Sequence, residues 1–127
     1  MKKTVLNSDK APAAIGPYSQ GIEVNGFIFL SGQIPLKPED GEMVTGGIEE
    51  QTKRVMENIK AVLQSHDLTL ENVIKTTIFM TDLAQFAVVN EIYGSYFQST
   101  PPARSTIQVA ALPKGAQIEI ETIAVTG

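Results

Sequence analysis

Two short segments near the end of the chain, at about residues 103–109 and 117–125, alternate polar and apolar side chains and predict strands. Successive residues of a strand point to opposite faces of its sheet. If the two strands pair in antiparallel fashion, an arginine, a threonine and two glutamates meet on one face. These residues are Arg104, Thr106, Glu119 and Glu121. The simpler alternative is an exposed cross-strand ion pair, which contributes only about 0.2–1 kcal/mol to stability.

Four earlier strands are predicted at about residues 4–6, 21–24, 27–31 and 73–80. Asn25-Gly26 separates the second from the third, and this dipeptide between apolar runs is the strongest short-range signal for a hairpin. The segment 73–80 is rich in β-branched residues. Alternation places Ile74 on one face with Thr76, and Val73 on the other. Both faces carry apolar groups, so both need cover.

Apolar residues recur at helical spacing in two further segments and predict two α-helices. The first spans about residues 48–65, carries two acids in its first turn, where the helix dipole favours them, and has His66 in its last turn. The second begins at Asp82 as N-cap, with Gln85 placed for a capping box. Its apolar stripe consists of Leu83, Phe86, Val89, Tyr93 and Phe97, and Asn90 lies beside the stripe.

The order of these elements predicts one α+β domain over residues 1–127, with a mixed sheet. Strand–helix–strand units give parallel pairs with right-handed crossovers, and hairpins give antiparallel pairs. Two helices can cover only one face of the sheet. Because the other face retains apolar side chains, we expect it to pack against another copy of the chain.

Composition narrows the classes of function. The chain has 14 acidic and 10 basic residues and a net charge of −4. Nucleic acid is therefore an unfavourable partner, since phosphate binding usually relies on a basic patch. With no cysteine and one histidine, disulfides, thiolate nucleophiles and multi-histidine metal sites are excluded within one chain. No signal peptide, lipidation motif or membrane-length apolar run is evident, so we expect a cytoplasmic protein without membrane contact.

The polar residues of the predicted sheet suggest a site for a small carboxylic acid. Arg104 offers two parallel donors to a carboxylate. Glu119 is a candidate for orienting or deprotonating water, or for returning a proton to a leaving amine. Backbone donors around Ser31-Gly32 are candidates for holding an oxygen, although a simple strand end is the alternative. The set fits hydrolysis of a polarised C=N or C=O bond beside a carboxylate.

Five motifs follow one another along the chain. They are GPYSQG at residues 16–21, SGQIP at 31–35, VNEIY at 89–93, PARSTIQVAALPKGA at 102–116 and IEIETIA at 118–124. Together they resemble the RidA/YjgF family, the reactive intermediate (enamine/imine) deaminases. The resemblance extends over essentially the whole chain.

The resemblance implies a chorismate-mutase-like fold and a homotrimer whose sheets surround a central barrel, with three equivalent sites in clefts between subunits. It implies hydrolysis of 2-imino acids such as 2-iminobutanoate and 2-iminopropanoate, and of their enamine tautomers, to 2-oxo acids and ammonia. Pyridoxal-phosphate enzymes such as threonine and serine dehydratases release these imines. The deaminase itself is expected to need no cofactor and no metal.

The resemblance also assigns roles to individual residues. Arg104 matches the arginine that binds the substrate carboxylate, and Glu119 matches the glutamate that positions the attacking water. The further expected site residues are Tyr18, Ser31, Gly32, Asn90 and Thr106. Many relatives carry cysteine where this chain has Thr106, so any thiol-based regulation is lost here and substrate preference is open.

Two other functions remain open at this point. Family members have also been described as ribonucleases that inhibit translation, although the acidic balance and the lack of a histidine pair argue against this chemistry. Alternatively, a chaperone-like trimer can use Arg104 to bind 2-oxo acids as a regulator without turnover.

Overall fold

The structure, a computed structural model, describes residues 1–127 and contains six strands and two α-helices. The strands are β1 (Thr4–Leu6), β2 (Gly21–Val24), β3 (Phe27–Gln33), β4 (Val73–Met80), β5 (Ala103–Gln108) and β6 (Ile118–Val125). The helices are α1 (Ile48–Gln64) and α2 (Phe86–Ser95). Short 3-10 turns occupy Leu70–Asn72, Leu83–Gln85 and Pro113–Gly115. The predicted elements and their order are confirmed. Most boundaries are displaced by at most two residues, but α2 begins at Phe86, three residues later than an N-cap at Asp82 predicts.

All six strands form one mixed sheet in the order β1-β2-β3-β6-β4-β5. The predicted Asn25-Gly26 hairpin joins β2 to β3, and both turn residues have positive φ, at 51° and 82°. The unit β4–α2–β5 gives the one parallel pair, as a strand–helix–strand crossover requires. The α+β prediction with a mixed sheet is therefore confirmed.

The predicted antiparallel pairing of the last two strands is wrong. β5 pairs with β4 in parallel, whereas β6 pairs with the opposite edge of β4 and with β3. β6 alternates fully buried with partly exposed residues, while β5 has no buried residue. The apolar strand therefore occupies the centre of the sheet and the polar strand occupies its edge, where burial is least.

Both helices lie on one face of the sheet, as predicted. The buried side chains of α1, including Val55, Ile59 and Val62, pack with Ile78 and Ile120 of the sheet in one core cluster. Glu50 accepts a hydrogen bond from the Gly47 N–H at 3.0 Å and caps the start of α1. The opposite face of the sheet is uncovered. It exposes Phe27, Phe29 and Ile107, each by 45–47%.

The predicted faces of β4 are wrong at its start. Val73 is buried and Ile74 is 43% exposed, because a register shift between Val73 and Lys75 inserts one extra residue against β6. The bulge reverses the alternation for the first residues only, and Thr76, Ile78 and Met80 face the core.

The ends of the helices differ from prediction in detail. Asp82 accepts a hydrogen bond from the Ala84 N–H at 3.0 Å, but it caps a 3-10 turn, and Gln85 does not complete a capping box. Leu83 is 40% exposed and is not part of the buried stripe. His66 follows α1, with its Nε2 3.5 Å from Glu23 Oε1.

Candidate active site

Glu119 lies on the uncovered face of β6, directly against Gly32 of β3. A Cβ at position 32 would lie 2.9 Å from Cδ of Glu119 and 3.1 Å from its Cγ, so any larger residue there would displace the carboxylate from this position. Gly32 belongs to a register shift between Leu30 and Gln33, where β3 has one residue more than β6. Bulges of this kind often redirect side chains beside functional sites.

The environment of Glu119 favours its protonated form. Burial raises the pKa of the Glu119 carboxyl, and the negative charge of Glu121 raises it further. Glu121 lies two residues along the same strand and therefore shares its face. A carboxyl with a raised pKa is better matched to accepting and returning a proton near neutral pH.

Glu119 lines a cavity of about 490 Å³, here called the Glu119 cavity. Three other predicted site residues line it, namely Tyr18, Ser31 and Gly32. Apolar residues, among them Ile15 and Leu36, form much of the remaining wall, and Lys114 adds a positive charge. The structure thus brings together four of the seven residues expected at the site.

Ser31 has a structural part in this cavity. Its N–H donates to the Gln20 carbonyl at 2.9 Å, and its hydroxyl donates to the Ser19 carbonyl at 2.6 Å. The backbone donor that we expected at Ser31 is therefore already used. Both bonds instead tie the segment that carries Tyr18 to the edge of β3.

The segment before β2 depends on one buried amide that the sequence analysis did not single out. Gln20 is 2% exposed; its Oε1 accepts from the Ser8 N–H at 2.6 Å, and its Nε2 donates to the carbonyls of Ser8 at 3.0 Å and Pro12 at 2.9 Å. This amide replaces the backbone partners that an irregular segment lacks. Lys114 was also not predicted as a residue of the Glu119 cavity. Its place there depends on the turn before β6, in which Lys114 has a φ of 57° that the sequence does not reveal.

Arg104 lies on the exposed edge strand β5, in a second group of residues. Its Nη1 donates to Asn90 Oδ1 at 2.7 Å, and its guanidinium carbon is 5.2 Å from the ring centroids of both Phe86 and Tyr93. These four residues are called the Arg104 cluster below. Thr106 lies two residues further along β5 and on the same face. Asn90, which lies beside the apolar stripe of α2, is thus the hydrogen-bond acceptor of Arg104.

The Arg104 cluster and Glu119 lie on opposite faces of the sheet, so the predicted meeting of Arg104 with Glu119 and Glu121 within one chain is wrong. Arg104 and Thr122 are both in register with Thr76, and residues in register share a face. Glu119 is three residues from Thr122 on β6 and therefore points the other way. No ion pair joins Arg104 to either glutamate.

Neither a metal centre nor a membrane span is found. No three histidine, cysteine, aspartate or glutamate side chains are grouped in a way that could hold a metal ion. Neither helix is long and apolar enough to cross a bilayer.

Comparison with known proteins decides the family. The family model described as Endoribonuclease L-PSP matches residues 8–126. The chain belongs to this family, also called RidA/YjgF. The mouse family member named 2-iminobutanoate/2-iminopropanoate deaminase is 47% identical over 125 residues, which cover 98% of this chain and 93% of the mouse protein.

Solved structures of other RidA/YjgF proteins share the fold. YyfA of Yersinia pestis, a member of the Rid family, is 50% identical with a TM-score of 0.95, covering 98% of this chain and 100% of YyfA. Escherichia coli TdcF, solved with bound serine, is 42% identical with a TM-score of 0.93, covering 98% of this chain and 99% of TdcF. The α+β architecture of this chain is thus that of the RidA/YjgF fold.

Proposed function

We propose that this protein hydrolyses 2-imino acids, including 2-iminobutanoate, 2-iminopropanoate and their enamine tautomers, to 2-oxo acids and ammonia. The observation that carries the proposal is the half-buried Glu119 carboxyl with its raised pKa, beside Gly32 in an open cavity. The names of relatives at 46–48% identity support it, since those proteins are called 2-iminobutanoate/2-iminopropanoate deaminases.

The active site in this proposal forms between copies of the chain. Arg104 and Glu119 lie on opposite faces of one sheet and cannot act on one small substrate within a single chain. The uncovered face carries Phe27, Phe29 and Ile107, a surface suited to burial against another copy. A homotrimer built through this face completes three equivalent sites, each with Arg104 from one chain and Glu119 from the next.

The reaction follows from these two groups. Arg104 binds the substrate carboxylate through two parallel N–H donors and thereby fixes the adjacent C=N bond. Glu119 accepts a proton from water as the water oxygen attacks C2 of the protonated imine, which gives a neutral carbinolamine. Glu119 then returns this proton to nitrogen. As the C–N bond breaks, the carboxylate of Glu119 takes the proton of the carbinol O–H, and ammonia and a 2-oxo acid are released. Correct placement of reactants supplies much of the rate enhancement, and no cofactor takes part.

The resemblance to the family implies that Thr106 stands where many relatives carry cysteine. Its side chain lies on the same face as Arg104 and contains no thiol. Deamination in this mechanism needs no nucleophile from the protein, so activity is retained without thiol-based regulation.

A coupled assay tests the proposed activity. Threonine dehydratase generates 2-iminobutanoate from threonine, and semicarbazide traps the imine that is not hydrolysed. We expect the protein to reduce trapped imine relative to buffer. Trapping equal to buffer, together with calorimetric binding of 2-oxobutanoate, would instead favour the non-catalytic regulator.

The pH dependence of turnover tests the role of Glu119. Glu121→Gln removes the like charge beside Glu119, so the pKa of Glu119 falls and its ionised form persists to lower pH. We therefore expect the acidic limb of the kcat/KM profile to move to lower pH. Glu39→Gln, the same change in an exposed loop, is the control and leaves the limb in place. An unchanged limb in Glu121→Gln would show that another group controls this titration.

No specific observation favours the ribonuclease alternative. The single histidine, His66, contacts Glu23 and does not line the Glu119 cavity.

A further inference from the structure

Arg104 needs external support if it is to act as a carboxylate receptor. It lies on an edge strand, it is exposed, and its side chain has rotamer freedom worth about 2 kcal/mol. Its one side-chain hydrogen bond, to Asn90, restrains one corner of the guanidinium and leaves rotation about that bond.

Two aromatic rings provide contacts of another kind. The guanidinium carbon lies over both Phe86 and Tyr93 at 5.2 Å from each centroid, within the range of cation–π attraction. Phe86, Asn90 and Tyr93 follow one another at intervals of four and three residues, so they share one face of α2. This face of α2 is therefore the surface on which the guanidinium rests.

The rings are themselves fixed by buried contacts. Tyr93 is 3% exposed, its hydroxyl shares a 2.7 Å hydrogen bond with Thr76 Oγ1, and its ring centroid is 4.9 Å from that of Phe97. Thr76 is the residue of β4 that lies in register with Arg104. The hydrogen bond between Tyr93 and Thr76 thus fixes the Tyr93 ring beside the position on β5 from which Arg104 extends. Phe86 is half-buried against the core.

We propose that Phe86 and Tyr93 are positioning residues that hold the Arg104 guanidinium in its carboxylate-binding orientation. This inference rests on the proposed function, in which Arg104 receives the substrate carboxylate. The ring contacts use π faces and occupy none of the N–H donors of Arg104, and Asn90 accepts from only one nitrogen. The remaining N–H donors stay free to bind a carboxylate through two hydrogen bonds. Because the guanidinium is already ordered in the free protein, ligand binding does not add the entropic cost of ordering it.

Phe86→Leu tests the proposal, because leucine keeps an apolar side chain and removes the π face. We expect the Kd for 2-oxobutanoate, measured by calorimetry, and the KM for 2-iminobutanoate each to rise about fivefold. The kcat should change little, since the carboxylate is held equally in ground and transition states. Phe86→Tyr restores the π face and should return both constants to the parent values.

Tyr96→Leu is the control. Tyr96 is also half-buried against the core, but its hydroxyl donates to Glu57 Oε2 at 2.9 Å and its ring lies beside the Lys60 ammonium, not beside Arg104. Its substitution should lower the thermal midpoint of unfolding at least as much as Phe86→Leu and leave Kd and KM unchanged. The proposal is overturned if Phe86→Leu leaves Kd unchanged, or if Tyr96→Leu raises it equally.

The binding and turnover measurements separate this proposal from the proposed function. If the parent shows no hydrolysis but binds 2-oxobutanoate, and Phe86→Leu weakens that binding, the aromatic support stands and the deaminase assignment fails. If hydrolysis is found and binding is insensitive to Phe86→Leu, the deaminase assignment stands and the aromatic support fails. A parent protein that neither binds nor hydrolyses overturns both.

Discussion

Replacing Arg104 with alanine is expected to abolish imine hydrolysis while the chain stays folded. The guanidinium is exposed on an edge strand, so its loss removes little buried structure. A bidentate charged contact contributes about 3 kcal/mol, so kcat/KM should fall about 100-fold or more. The semicarbazide assay measures the activity, and thermal unfolding measured by circular dichroism reports whether the fold is retained.

Two further variants distinguish the guanidinium from its charge. Arg104→Lys keeps the charge but loses the planar pair of donors and much of the contact with Phe86 and Tyr93, so most of the activity should still be lost. Lys53→Ala removes one positive charge from the exposed side of α1 and should leave turnover unchanged. Near-normal turnover in Arg104→Ala would refute the proposed carboxylate receptor.

Mixing two inactive chains is expected to restore activity. In the proposed trimer, each site takes Arg104 from one chain and Glu119 from the next. If Arg104→Ala and Glu119→Gln chains are co-expressed in equal amounts and assemble at random, about one quarter of the sites receive both intact residues. The mixture should therefore recover about one quarter of the parent activity, whereas either variant alone is nearly inactive.

The same experiment has an internal control. Co-expression of Arg104→Ala with a chain that carries both substitutions cannot create an intact site and should remain inactive. Different affinity tags on the two chains allow mixed assemblies to be purified before the assay. Absence of recovery in assemblies shown to contain both chains would mean that Arg104 and Glu119 do not act together across an interface.

Much of the secondary structure could be predicted because its signals are local. The Asn25-Gly26 turn, the apolar spacing of α1 and the β-branched residues of β4 each act over a few residues. The alternation of β6 predicted correctly which of its side chains are buried. The start of β4 was mispredicted because one extra residue in a bulge reverses the faces, and no turn residue marks it.

The candidate site could be predicted only in part from the sequence. The motifs named Tyr18, Ser31, Gly32 and Glu119, and the structure groups these four around one cavity. The spacing of Phe86, Asn90 and Tyr93 predicted a shared helix face, but nothing in it indicated that Arg104 would lie over the two rings. The three hydrogen bonds of Gln20 were equally hidden, because they join segments that become neighbours only on folding.

The sequence by itself determined the α+β class, the order of elements, the β2–β3 hairpin and the fact that two helices cover only one face of the sheet, since these follow from short-range patterns. Only the tertiary structure decided where β5 and β6 lie in the sheet. β6 is inserted between β3 and β4 because a central position, with a strand on each edge, buries its apolar residues, and β5 remains at the edge. This strand order places Arg104 and Glu119 on opposite faces of the sheet. Strand pairing depends on how apolar residues are buried across the whole sheet, which the pattern of a single strand does not specify.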